Sequence, residues 1–190
     1  LGSLLGQGTL DTLYMIVVCT VVSYIIGLPI GVSLIVTAPG GIRPLALYNK
    51  VVGFIVNILR SVPFLILMIA LMPYIRKIIG TGIGKEAATA ALIVAAAPFV
   101  ARLVEQSLLE VDPGVIEAAQ AMGANNFQIV RKVLLLEARP SLLNGAAVAT
   151  INILGYTAMA GIVGAGGLGE IAIRYGLYRF QPSIMWITTV

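Results

Sequence analysis

Cut at its charged and Gly/Pro-rich interruptions, this sequence separates into apolar runs of the length that carries a helix across hydrocarbon, about 20 residues. The first extends from about Asp11 to Val36, the second from about Val51 to Ile75 and the third from about Ala87 to Leu109. The fourth, from about Leu142 to Val163, is rich in Gly and Ala. A fifth begins near Ser183 and is cut off at Val190, shorter than a span; with a start at Leu1 instead of Met, this reads as a piece of a longer chain. The pattern predicts one all-α integral membrane domain over residues 1–190, with about five transmembrane helices, the fifth truncated.

The connections differ in kind. Thr37-Ala-Pro-Gly-Gly41 is a turn of residues that do not continue a helix, and Arg76 to Glu86 is a short charged loop containing Gly80, Gly82 and Gly84. Residues 110–141 form a longer segment, charged yet still helix-patterned. Within it, Asp112-Pro113 reads as an N-cap followed by proline at the first helical position, where a missing N–H costs nothing. Gly123 ends that helix, and Asn125 or Asn126 starts a second, amphipathic one carrying Phe127, Ile129, Val130, Val133 and Leu134. The plain reading is a solvated loop with some helix; the sharper one is an ordered pair of helices outside the lipid that grips a partner.

Composition makes the bilayer the solvent. The chain is 59% hydrophobic and 11% charged, against about 45–50% and about 25% for soluble domains, and its mean hydropathy is +1.01. The net charge of +4 is dispersed and forms no basic tract, which excludes a nucleic-acid partner. Histidine is absent, removing the commonest metal ligand and the commonest general base, so neither catalytic nor metal-binding residues are predicted. Cys19, inside an apolar run, reads as a packed small residue. The first run is longer than a signal-peptide core and no Lys or Arg precedes it, so it reads as a retained span. If the 110–141 loop is cytoplasmic, Lys and Arg divide evenly between the two sides, and the positive-inside rule does not fix orientation.

A few polar residues interrupt the apolar runs. Arg60 falls mid-run, where an arginine costs at least about 2.5 kcal/mol on insertion scales, and so must face the bundle interior or a wet cavity. It either borders a path through the membrane or serves a structural pairing. Pro63 should kink the helix just beyond it, with Ser61 satisfying a freed carbonyl. Arg102 and Glu105, three apart on one helix face, read as a snorkelling pair. Gly164, Gly166 and Gly169 spell G-x-G-x-x-G, but no strand precedes them, so they read as a flexible or close-packed end of the fourth run.

The stretch Glu117-Ala118-Ala119-Gln120-Ala121-Met122-Gly123 resembles the EAA-x-x-x-G signature of bacterial ABC importer permeases, and it sits in a long loop between two spans, where that family carries it. The family consensus continues to I-x-L-P; here Val133-Leu134-Leu135-Leu136 stands in its place, with no proline until Pro140. The chain is similar in particular to the permeases of methionine-uptake transporters. That resemblance rests on Asn57-Ile-Leu-Arg60-Ser-Val-Pro-Phe64, on Ala96-Ala-Pro-Phe-Val-Ala-Arg102-Leu-Val-Glu105, on Ala121-Met-Gly-Ala124 with Gln128-Ile-Val-Arg-Lys-Val133, and on Gly155-Tyr-Thr-Ala-Met-Ala-Gly161 followed by Gly164-Ala-Gly-Gly-Leu-Gly169.

The resemblance implies a type I ABC importer transmembrane domain in a bacterial inner membrane. It implies a homodimer bound to two P-loop ATPase subunits and fed by an extracytoplasmic substrate-binding protein. Glu117, Ala118, Ala119, Met122 and Gly123 would then belong to a cytoplasmic coupling helix seated in a groove of the ATPase. Alanines permit close approach, glycine makes a sharp exit and the glutamate offers charge-assisted hydrogen bonds. Tyr156 and Met159, one turn apart, would line the path of the solute together with Arg60 and Asn57, a thioether and an aromatic ring suiting a sulfur-containing solute; ordinary helix packing explains the Tyr–Met pair equally well. No Gly-x-x-x-x-Gly-Lys-[Ser/Thr] loop occurs in this sequence, so ATP and Mg would be bound by the partner and no cofactor by this chain. A permease for another small solute is the alternative within the class; an autonomous channel or an intramembrane enzyme are alternatives outside it.

Overall fold

The structure, a computed structural model, describes residues 2–189, and among these every regular element is helical. Three helices are long and apolar enough to cross a membrane: α1 (Gly2–Thr37), α4 (Lys85–Leu109) and α8, whose Arg139–Ala160 continues through a 3-10 turn to Val163. The second predicted span is not one helix. It is α2 (Ala46–Ser61) and α3 (Phe64–Ile79), a broken pair that adds a fourth crossing if counted as one span. Proline explains the break: Pro63 has no N–H to give and disfavours helical geometry at Val62, so it serves instead as the N-cap residue of α3. Ser61 Oγ donates to the carbonyl of Asn57 at 2.8 Å, satisfying an acceptor at the end of α2.

Between α4 and α8 lie α5 (Pro113–Ala121), α6 (Asn126–Ile129), a π-helical turn (Val130–Leu134) and α7 (Leu135–Glu137). The π turn ends two residues before Leu136, where the family pattern would place its proline, and widens the helix just ahead of that position. After α8 come α9 (Gly167–Ile171), a second π turn (Ala172–Leu177) and α10 (Pro182–Thr189), the start of the predicted fifth span. Leu1 and Val190, the two ends of the sequence reading, lie outside the described residues.

The chain divides into two compact units, with α1, α4 and α8 each contributing a segment to both. The first unit comprises the chain up to Val22, Val62–Ala96 and the chain from Thr150 on. Its core sets Met15 and Cys19 of α1 and Phe64 and Met68 of α3 against Ala87, Ala88, Ala91 and Leu92 of α4. The alanines keep one face of α4 shallow enough for its neighbours to approach closely. Cys19 is fully buried, as a packed small residue should be.

The second unit comprises Ser23–Ser61 and Ala97–Ala149. Val100, Val104 and Leu108 of α4 pack there with Leu134 and Ala138, and with Leu28 and Val32 of α1 alongside. Gly27 and Gly31 make the α1–α4 contact possible: a Cβ at Gly27 would lie 2.7 Å from Val100 Cγ1, and one at Gly31 would lie 2.6 Å from the Ala101 carbonyl oxygen. Two glycines one turn apart form the small-residue stripe on which membrane helices cross.

Candidate functional site

The second unit carries the candidate site on α5. Asp112 starts the helix, its carboxylate accepting from the Gly114 N–H at 2.7 Å, and Pro113 occupies the first helical position. Met122 N–H donates to the Ala118 carbonyl at 3.1 Å, Gly123 N–H to Gln120 at 2.9 Å and Ala124 N–H to Ala119 at 3.1 Å. The last two bonds form a Schellman cap, which needs a left-handed residue at its centre; Gly123 supplies it at φ 80°. Asn125 then opens α6 with a reciprocal capping box: its Oδ1 accepts from the Gln128 N–H and Gln128 Oε1 accepts from the Asn125 N–H, both at 2.9 Å. Local hydrogen bonding therefore fixes the whole turn from 112 to 128.

This construction decides what α5 shows. Ala119 is turned inward at 4% exposure, while Glu117, Ala118, Met122 and Gly123 are exposed, Met122 at 82%. Phe127, just past the turn, is 69% exposed. Glu117 engages no cation among the described residues and borders a cavity of about 340 Å³, with Pro39, Gly41, Leu108, Ile116 and Gln120 also on its wall. The result is a short, capped helix offering the Glu117 carboxylate and exposed alanines, with the unburied side chains of Met122 at its end and Phe127 on α6 beside it. Such a surface suits insertion into a groove, since exposed apolar groups of this size mark interaction sites when clustered.

The predicted path residues fall into both units. In the second, Asn57 and Arg60 are exposed on α2. Asn57 Oδ1 accepts from Arg102 Nη2 at 2.9 Å, and the same nitrogen donates to the Gly53 carbonyl at 3.1 Å. Arg102 also pairs with Glu105, as its sequence spacing predicts, but it reaches α2 as well. Arg60 occupies the last turn of α2, just before the break that separates it from α3. Its guanidinium carbon stands 5.9 Å from the Phe99 ring centroid, a cation–π distance.

In the first unit, Tyr156 stacks on Phe64 with ring centroids 4.7 Å apart and planes 15° apart, and packs against the core. Met159, in contrast, is 48% exposed. Among the glycines after α8, Gly161 and Gly169 are close-packed, whereas a Cβ at Gly166 would meet nothing nearer than 3.7 Å. A Cβ at Gly161 would lie 2.4 Å from the Glu170 nitrogen, and one at Gly169 would lie 2.6 Å from the Ala158 carbonyl oxygen.

Sequence reasoning does not find several polar contacts of that region. Lys85 pairs with Asp11 at 2.8 Å, Thr12 Oγ1 accepts from the Leu168 N–H at 2.9 Å, and Glu170 Oε2 accepts from the Gly166 N–H at 2.8 Å. The first two join residues 74 and 156 positions apart, and no local pattern announces them. Only Glu170, four residues from both Gly166 and Arg174, leaves a spacing signal.

A capped α5 between two apolar helices is joined by a match over most of the chain. Residues 27–190 match the family of binding-protein-dependent transport system inner membrane components. The chain belongs to this family. Among relatives of this inner membrane component, a protein of Vibrio cholerae described as a probable D-methionine transport system permease, MetI, is 49% identical over 98% of this chain and 83% of its own length. The D-methionine transport system permease protein MetI of Escherichia coli K12 is 51% identical over 83% of this chain and 73% of its own. A chain from inward-facing structures of the MetNI methionine ABC transporter superposes with a TM-score of 0.96 at 49% identity, covering 98% of this chain and 86% of the other.

Proposed function

We propose that this chain is the permease subunit of an ATP-driven methionine importer, conducting substrate by alternating access while a separate subunit hydrolyses ATP. The reading rests on one observation above others: 49% and 51% identity to D-methionine permeases over 98% and 83% of the chain. The chain works as a homodimer with two ATPase subunits and receives substrate from an extracytoplasmic binding protein. ATP and Mg sit on the ATPase subunits, and this chain performs no bond chemistry of its own.

The exposed face of α5 supports the coupling step. Glu117, Ala118 and Met122 enter a groove of the ATPase, and the rigid caps at Asp112 and Gly123 transmit its closure to α4 and α8. Coupling then requires that ATP and substrate each prefer one of two conformations of the spans, for a ligand without such preference shifts no population. Asn57, Arg60, Tyr156 and Met159 border the path. ATP-dependent uptake of labelled methionine into proteoliposomes holding the assembled complex and its binding protein tests the assignment. Uptake of a different small solute in place of methionine would keep the class and replace the substrate, whereas flux without ATPase would indicate a channel.

A further inference from the structure

On one face of the second unit, α2 and α4 share a polar seam inside otherwise apolar segments. Gly53, Asn57 and Arg60 succeed one another at four- and three-residue steps along α2, and Phe99, Arg102 and Glu105 at three-residue steps along α4. Each triplet therefore lies on a single side of its helix. Both Nη groups of Arg102 are engaged, one by Glu105 on its own helix and the other across the seam by Asn57 Oδ1 and the Gly53 carbonyl, while its Nε is buried without a hydrogen-bond partner among the described residues. Arg60 differs: its contact is the π face of Phe99, and no carboxylate pairs with it among the described residues.

The charge arithmetic follows directly. Two guanidinium groups and one carboxylate leave the seam with one positive charge uncompensated. In an apolar segment such a charge is costly, and an ionisable residue held there marks a functional site. Phe99 holds the Arg60 guanidinium by its face, and Arg60 remains exposed, with its planar fork available to an oxygen pair. It also ends a helix interrupted at Pro63, and broken helices border solute sites in transport proteins.

We infer that Arg60 binds the α-carboxylate of an amino acid passing along the path, a step that rests on the amino-acid importer reading above. With Arg102 and Glu105 paired behind it, Arg60 is the seam's one charge without a carboxylate partner among the described residues, and the carboxylate end of a zwitterionic amino acid supplies that partner locally. The recognised chemistry is the carboxylate common to all amino acids, so this site serves passage and not discrimination between side chains.

The test compares wild type, Arg60→Met and Arg60→Lys in the full complex with its binding protein, reading L-methionine moved per ATP hydrolysed. Loss of a charge-assisted bond to substrate should lower that ratio about tenfold or more in Arg60→Met, and Arg60→Lys, which keeps the charge, should recover most of it. An unchanged ratio in Arg60→Met, whether or not both rates fall together, would overturn the inference, since a merely structural arginine changes assembly and not the ratio. If Arg60→Met does not assemble, Arg60→Gln carries the same expectation. A mixture of labelled neutral amino acids is run beside methionine. Wild type carrying one of these instead of methionine overturns the substrate and leaves the Arg60 site to be judged by the same ratio; wild type carrying none overturns both.

Discussion

The Ala124 N–H donates to the Ala119 carbonyl at 3.1 Å, closing the chain over Gly123 and setting the exit direction of α5. The bond belongs to a cap that only a left-handed residue can complete. A Cβ at Gly123 would meet nothing within 4 Å, so substitution there is opposed by backbone conformation and not by crowding.

That separation orders the substitutions. Gly123→Leu and Gly123→Ala should each cost about 1–2 kcal/mol of the capped conformation, and Gly123→Asn less, because Asn tolerates the left-handed region. Gly123→Leu should reduce methionine moved per ATP while leaving membrane insertion intact, with Gly123→Asn intermediate. Equal ratios across the series, measured in proteoliposomes, would remove the cap from the coupling step.

Two glycines at the end of α8, Gly155 inside the helix and Gly161 just past it, should divide sharply. Gly161→Ala forces a Cβ to 2.4 Å from backbone atoms and should destabilise by about 2–3 kcal/mol. Gly155→Ala, in open space within α8, should be neutral or stabilising by about 0.5–1 kcal/mol. Thermal unfolding in detergent reads both, and similar midpoints for the two variants would contradict the packing described for that turn.

Tyr156 owes its position to the ring, stacked on Phe64, and its hydroxyl has no hydrogen-bond partner among the described residues. Tyr156→Phe should therefore keep both the unfolding midpoint and uptake, whereas Tyr156→Ala should lose the stack and cost about 1–2 kcal/mol. A hydroxyl that contacts substrate would instead show as lost uptake in Tyr156→Phe at an unchanged midpoint.

Across the α2–α4 seam, Arg102→Met should destabilise by about 3 kcal/mol, because it strands the largely buried Glu105 carboxylate. Asn57→Ala should cost about 1 kcal/mol. The two losses should be non-additive, since the Asn57–Arg102 bond at 2.9 Å is removed by either change. Additive unfolding free energies would mean that this bond contributes nothing to stability.

What the sequence discloses depends on how far apart the partners stand. The α5 turn is legible because its signals are local: Asp112-Pro113, Gly123 and Asn125 act within five residues of themselves. The apolar runs are legible because length alone sets a span. Pro63 reads as a kink, but the structure shows a full break, and a linear pattern cannot distinguish the two because both need only a missing N–H. Gly27 and Gly31 carry a readable crossing signal inside the first run, masked there by uniform hydrophobicity. The Arg102–Glu105 pair is visible at a spacing of three; the bond from Arg102 to Asn57, 45 residues away, is not. The turns from 164 to 181 go unread because their short, mixed composition matches neither a span nor an amphipathic period.

The most direct test of the account is the rate of methionine uptake per ATP hydrolysed by the assembled complex with its binding protein, in wild type and in a Glu117→Arg variant. Glu117 is exposed on α5 and pairs with no cation among the described residues, so its replacement should leave this chain folded while reversing the charge offered to the ATPase. The account predicts ATP-dependent methionine uptake in wild type and its collapse in Glu117→Arg, with the ATPase bound weakly or turning over without transport. Wild-type uptake that persists undiminished in Glu117→Arg would contradict it.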